Sequence, residues 1–193
     1  PDDSIHDLCE KVFDTAISEI LNVRSQIDQS VLEQAIQTLA KARRVEFYAF
    51  GGSAPVAMDG QHKFFRLKIP SSCISDPHIQ FMSANSLNKE DVVVAISQSG
   101  TTSALVDSVK TVRESGVKVI GIMPGNTPLA NICDLSLTIN VGSNDRLTMP
   151  LTSRLAYTAV IDVLTMGVAQ LRPEAQDHLY NIADSQRSLK IDN

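Results

Sequence analysis

Cysteine is scarce in this chain, and the few present do not pair. Of 193 residues, Cys9, Cys73 and Cys133 are the cysteines. An odd count without CxxC spacing argues against a disulfide framework or a zinc site, and for a reducing compartment. Long apolar runs are missing too. No stretch approaches the roughly 20 apolar residues that a membrane span needs. No signal peptide precedes the first helical segment. Positive charge is thin: 17 Lys and Arg stand against 22 Asp and Glu, for a formal net charge of -5. Only Lys41, Arg43 and Arg44 lie close together. DNA binding needs clustered cations, so the chain is a poor DNA binder by itself. Internal repeats and low-complexity stretches are absent, and no residue pattern calls for a metal or cofactor. The expectation is a cytoplasmic globular protein. The chain opens on Pro1, which leaves open a trimmed methionine or a piece of a longer protein.

What is present is an ordinary globular composition, 43% hydrophobic and 20% charged. The length suits one domain with a full core. Ser4 to Val23 places Leu8, Val12, Ile17, Ile20 and Leu21 at helical spacing. Asp28 is a good N-cap for a second helix carrying Val31, Leu32, Ile36 and Leu39. The period then changes. Val45 to Phe50 reads as a strand, Gly51-Gly52-Ser53 as a turn, and Pro55 suits the first turn of a helix. Ser72 to Ser75 is a weak strand, and Asp76-Pro77 starts another helix. Val92 to Ile96 is continuously apolar, as a strand buried on both faces should be. A helix over Thr102 to Ser115 stops at Gly116, and Val117 to Met123 is another buried strand. Thr127-Pro128 caps a short helix, and Leu135 to Val141 is the last strand. A long helix runs from about Pro150 to Leu171, and Pro173 starts a final one.

This alternation predicts parallel βαβ units in a three-layer αβα domain. The sheet should be five-stranded, parallel and flavodoxin-like, with extra N- and C-terminal helices. One domain spans 1–193: a linker and first helix over 1–27, an α/β core over 28–171 and a C-terminal helix over 172–193. Ligands of such sheets sit at the carboxyl ends of the strands, near the topological switch point. That selects the turn at Gly52 and Ser53 and the loop Ser97 to Thr102.

The second loop carries the chemistry. Ser97-Gln98-Ser99-Gly100-Thr101-Thr102 follows a buried strand, opens a helix and holds four hydroxyls in six residues. Gly100 lets the backbone turn tightly. The free N–H groups of the new helix favour an anion, and rotating hydroxyls donate to its oxygens. A phosphate held by neutral donors is the reading, against a plain helix cap that would need one hydroxyl. Nucleotide motifs fail on spacing, because neither GxxxxGK nor GxGxxG occurs.

A strand followed by SxSGxT, with a GxS turn one βα unit earlier, resembles the sugar isomerase (SIS) domain over about residues 30 to 170. The segments Gln61 to Arg66, Asp76-Pro77-His78 and Met149 to Arg154 further resemble the SIS half of RpiR-type bacterial transcription regulators. Among these, the likeness is to the HexR-like repressors. The resemblance implies that Ser53, Ser97, Ser99 and Thr102 contact a sugar phosphate, with 2-keto-3-deoxy-6-phosphogluconate as the specific expectation. One position departs from the pattern: HexR-type chains often carry arginine where Thr101 stands here. Family members bind DNA through an N-terminal helix-turn-helix domain that this chain does not contain, and they are typically dimers or larger. A homodimer or homotetramer is therefore expected, through the apolar faces of the first and the long helix.

SIS domains also occur in aldose–ketose isomerases, whose proton transfer needs a base beside the sugar. None of the seven glutamates falls in the two ligand loops. Binding without turnover is the expectation, with isomerase as the alternative. Gly52, His78 and Arg154 are candidate sugar contacts, but a surface or capping histidine and an arginine paired with a structural carboxylate are the commoner roles and the expected ones here. Lys63 and Arg66 read as a solvated helix edge.

Overall fold

The computed structural model describes residues 3–141, 153–175, 178–179 and 181–182. Helix α1 covers Ile5–Gln26, opened by a capping box in which Ser4 and Asp7 exchange bonds. Asp28 caps α2, Gln29–Lys41, by accepting from the amides of Ser30 and Val31. Strand β1, Arg44–Ala49, leads through a short 3-10 turn at Gly51–Ser53 into α3, Ala54–Arg66. Strand β2, Ser71–Ile74, precedes α4, Pro77–Ala84, which Asp76 caps. Strand β3, Asp91–Ile96, is followed by α5, Ser103–Glu114. Strand β4 is Lys118–Met123, β5 is Leu135–Thr138, and α6 is Ser153–Leu171. Helical residues resume at 173–175, 178–179 and 181–182.

The sheet is parallel throughout, in the order β2-β1-β3-β4-β5. Alternation along β1 divides the core. Val45, Phe47 and Ala49 join α2, α3 and α6 on one face; Tyr48 joins α4 and α5 on the other. Val92 to Ile96 are all buried, as their apolar run predicts, and Asp91 ahead of them is buried in an ion pair with Arg43. The order turns back at β1 and β3. The carboxyl ends of these two strands therefore form the switch point, where no crossover covers the cleft.

Three details differ from the sequence reading. Residues 127–133 form a run of turns instead of a short helix. The last strand ends at Thr138, because the Asn140 side chain accepts from Gly125 N and its carbonyl accepts from Asn22 of α1. Lys63 is no solvated edge: only 21% exposed, it bridges Asp59 of α3 and Asp162 of α6. The proposed start of α6 at Pro150 lies outside the described residues.

Glu46 is the notable buried charge, 2% exposed in β1. Its carboxylate accepts from Tyr48 OH at 3.0 Å, Ser72 Oγ at 3.2 Å and Ser83 Oγ at 2.5 Å, and pairs with Arg44 at 2.9 Å. Strand β2 and helix α4 are thereby pinned to β1. Helix α1 shows the opposite situation. Only Ala16 and Val23 are buried in it, while Ile5, Val12, Phe13 and Ile17 are each more than half exposed. The cysteines remain free. Burial and the neighbouring Asp134 push the Cys133 thiol up to about 12, so it stays protonated and inert.

Candidate phosphosugar site

A cavity of about 210 Å³ lies at the switch point. Its polar lining is Gly52, Ser53, Ser97, Gln98, Ser99 and Thr102; Phe50, Ile96 and Leu105 supply the apolar wall. Among the described residues the lining contains no charged or imidazole side chain. Any charge placed there is met by hydroxyls, an amide side chain and backbone dipoles.

Each polar group arrives for a local reason. Strand β3 runs on into Ser97, whose amide still bonds to Ile122 O at 3.0 Å. The buried Ser97 hydroxyl then accepts from Gly100 N at 2.9 Å, which folds the loop back on itself. Gly100 has φ +64, a conformation open to glycine, and Thr127 packs where a Cβ would project. Its carbonyl accepts from Leu129 N at 3.1 Å, so the β4–β5 connection braces the loop from behind. At the tip, Ser99 Oγ accepts from Thr101 N at 3.3 Å and from Thr101 Oγ1 at 3.1 Å. Thr102 stands at the N-cap of α5 without making a side-chain capping bond. Ser53 caps α3 in the same way, its hydroxyl unused for capping although the residue is only 6% exposed. Neither hydroxyl makes a capping bond, and both line the cavity.

The structure thus gathers Ser53, Ser97, Gln98, Ser99 and Thr102, with Gly52, around one cavity. Gly100 and Thr101 shape the loop without lining it. His78 does not join them; it is exposed in the first turn of α4. Arg154 is half-buried in the first described turn of α6 and does not line the cavity. Among the described residues no ion pair is found for Arg154, so the structural carboxylate expected for it is not seen there. Sequence reasoning missed Thr127, Ser153 and Tyr157. Gln98 Nε2 donates to Ser153 Oγ at 3.3 Å, and Tyr157 OH donates to Ser97 O at 3.4 Å. These are contacts across 55 and 60 residues, for which no local pattern is a signal.

These residues build a doubly wound α/β domain with a hydroxyl-lined cleft at its switch point. Residues 38–167 match the family model described as the SIS domain, and the chain belongs to that family. The HTH-type transcriptional regulator HexR of Escherichia coli (strain K12) is 34% identical over 192 residues, 99% of this chain and 66% of that protein. HexR of Pseudomonas aeruginosa is 35% identical over 185 residues, 95% of this chain and 65% of its own length. The chain thus spans about two thirds of these regulators. Among solved structures, the Vibrio vulnificus NanR protein complexed with ManNAc-6P superposes with a TM-score of 0.86 at 20% identity. That match covers 97% of this chain and 72% of NanR, and it shows the shared fold. No helix of the described residues is long and apolar enough to cross a membrane, and none of their side chains cluster as metal ligands.

Proposed function

We propose that this domain binds a sugar phosphate and serves as the effector-sensing part of a transcription regulator. The single observation that carries the proposal is the cavity at the ends of β1 and β3. It offers the hydroxyls of Ser53, Ser97, Ser99 and Thr102 and the first turn of α5 to one anion. The phosphate sits in the loop 97–102, and the sugar extends past Gly52 and Gln98, while His78 and Arg154 stay outside the lining. The HexR relatives support a regulator, with DNA contacted by a further domain outside this chain. Within that reading the proposed ligand is 2-keto-3-deoxy-6-phosphogluconate, and the proposed setting is the bacterial cytoplasm.

Calorimetric titration with that compound, N-acetylmannosamine 6-phosphate and glucose 6-phosphate tests the reading. Saturable binding of at least one phosphate ester, and none of its dephosphorylated sugar, is expected. Equal response to both would remove the phosphate from the argument.

The alternative is an aldose–ketose isomerase. Proton transfer at the sugar needs a carboxylate or imidazole within hydrogen-bond reach, and among the described residues the cavity lining has neither. Incubation with aldose and ketose phosphates should leave them unconverted. Turnover near 1 per second, within the usual enzyme range, would reverse the assignment.

Self-association belongs to the same proposal. The exposed apolar residues of α1 form a helix flank that one copy does not cover, and α6 adds Leu155 at 51% and Met166 at 66% exposure. Exposed apolar surface of this kind marks an interface, and a closed two-fold dimer is the commonest way to bury it. Light scattering at micromolar concentration should give at least twice the 21.0 kDa of one chain. A monomer mass, with and without ligand, would refute the dimer.

A further inference from the structure

Helix α6 touches the phosphate loop at two successive residues. Ser153 Oγ accepts from the Gln98 side chain, and Tyr157 OH donates to the Ser97 carbonyl. Ser153 and Tyr157 are i and i+4, so they lie one above the other on one face of the helix. Both are buried, Ser153 at 3% and Tyr157 at 0% exposure. The two bonds leave the loop on different sides. One holds the backbone where the strand ends; the other holds the side chain that walls the cavity beside Gly52. Burial raises the pKa of Tyr157, so its hydroxyl keeps its proton and remains a donor.

From this geometry we infer that Tyr157, together with Ser153, is a positioning residue for the loop 97–102. Neither lines the cavity. They act through Ser97 and Gln98, which do. The Ser97 hydroxyl sets the loop by accepting from Gly100 N, and that hydroxyl is oriented only if the Ser97 backbone is held. Tyr157 holds the carbonyl of the same residue. The other side of α6 carries the exposed Leu155 and Met166, and Lys63 ties the helix to α3, whose first residue follows Ser53. A shift of α6 therefore reaches both walls of the cavity. The inference assigns roles within the site proposed above, yet its central claim concerns loop order and does not depend on which ligand binds.

The test uses Tyr157→Phe, which removes one oxygen and keeps the ring in the core. Amide hydrogen exchange is read in the loop and, as an internal standard, in the centres of β3 and β4. Inorganic phosphate and glucose 6-phosphate are then titrated. Exchange at Gly100 should accelerate several-fold while Val94 and Ile120 keep their protection. Affinity for the better-bound probe should fall roughly 2- to 10-fold, as expected for one lost neutral hydrogen bond. Ser153→Ala should give a smaller change of the same kind. Unchanged loop exchange in Tyr157→Phe would overturn the inference. So would uniform acceleration across the sheet, which marks a merely structural tyrosine. If neither probe binds the unaltered protein while Tyr157→Phe still loosens the loop, the positioning role stands and the phosphosugar reading falls.

Discussion

Glu46→Ala should destabilise the domain by about 3–5 kcal/mol, the range for removing one member of a buried ion pair. For a domain of this size that corresponds to a fall in Tm of roughly 6–20 °C. The carboxylate is 2% exposed and joins four partners from β1, β2 and α4. Alanine leaves Tyr48 OH without its carboxylate acceptor and strands Ser72 and Ser83 beside a cavity. Desolvated donors without partners are what make such losses large. Arg44 is the exception, since its side chain is 31% exposed and can turn towards water. Glu46→Gln should therefore cost less than alanine: with its oxygen at the Oε2 position the amide still accepts from Tyr48 and Ser83, while the NH2 at the Oε1 position gives up the Ser72 acceptor and the pairing with Arg44. Urea melts of the three proteins measure both differences. A loss below 1 kcal/mol for alanine would mean that α4 and β2 are held by apolar packing alone.

Glu46 also shows where the sequence stopped being legible. Val45 to Phe50 reads as a strand from its composition, and its glutamate looks like any polar residue on a sheet. Its burial comes from α4 lying over it, with Ser83 supplied 37 residues later. Lys63 fails for the same reason, since Asp162 lies on a helix almost a hundred positions further on. Apolar period and turn chemistry act over a few residues. They accordingly placed the strands, the parallel sheet and the two loops that meet at the switch-point cavity. The hydroxyl cluster from Ser97 to Thr102 was legible because its residues are contiguous. The brace by Thr127 was not. Thr127-Pro128 has the form of a helix start, and only the packing of Thr127 against Gly100 shows that these turns serve the loop. Apolar spacing in α1 was legible too, but the period cannot say which flank meets the chain's own core. Ala16 and Val23 do so, leaving Ile17 outward.

The proposed phosphate loop carries the other large effect. Ser97→Ala and Thr102→Ala should each weaken sugar phosphate binding by roughly 10- to 100-fold, because each removes a hydrogen bond to a charged group worth about 1.5–3 kcal/mol. The two substitutions should differ in stability. Thr102 makes no capping bond, so its alanine variant should melt close to the unaltered protein. Ser97 Oγ accepts from Gly100 N, so its loss should also loosen the loop. The dependence on pH is equally specific. Among the described residues no group lining the cavity titrates near neutrality, so the pH dependence of affinity should come from the ligand. A phosphate monoester takes its second proton near pH 6. Binding should be strongest where the ester is a dianion, weaken as the pH falls through about 6, and stay flat between 7 and 8. Titration calorimetry of both variants across that range checks the claim. Unchanged affinity in both variants would remove the loop from the site. A second titration step above pH 7 would show that an ionisable protein group contacts the phosphate after all.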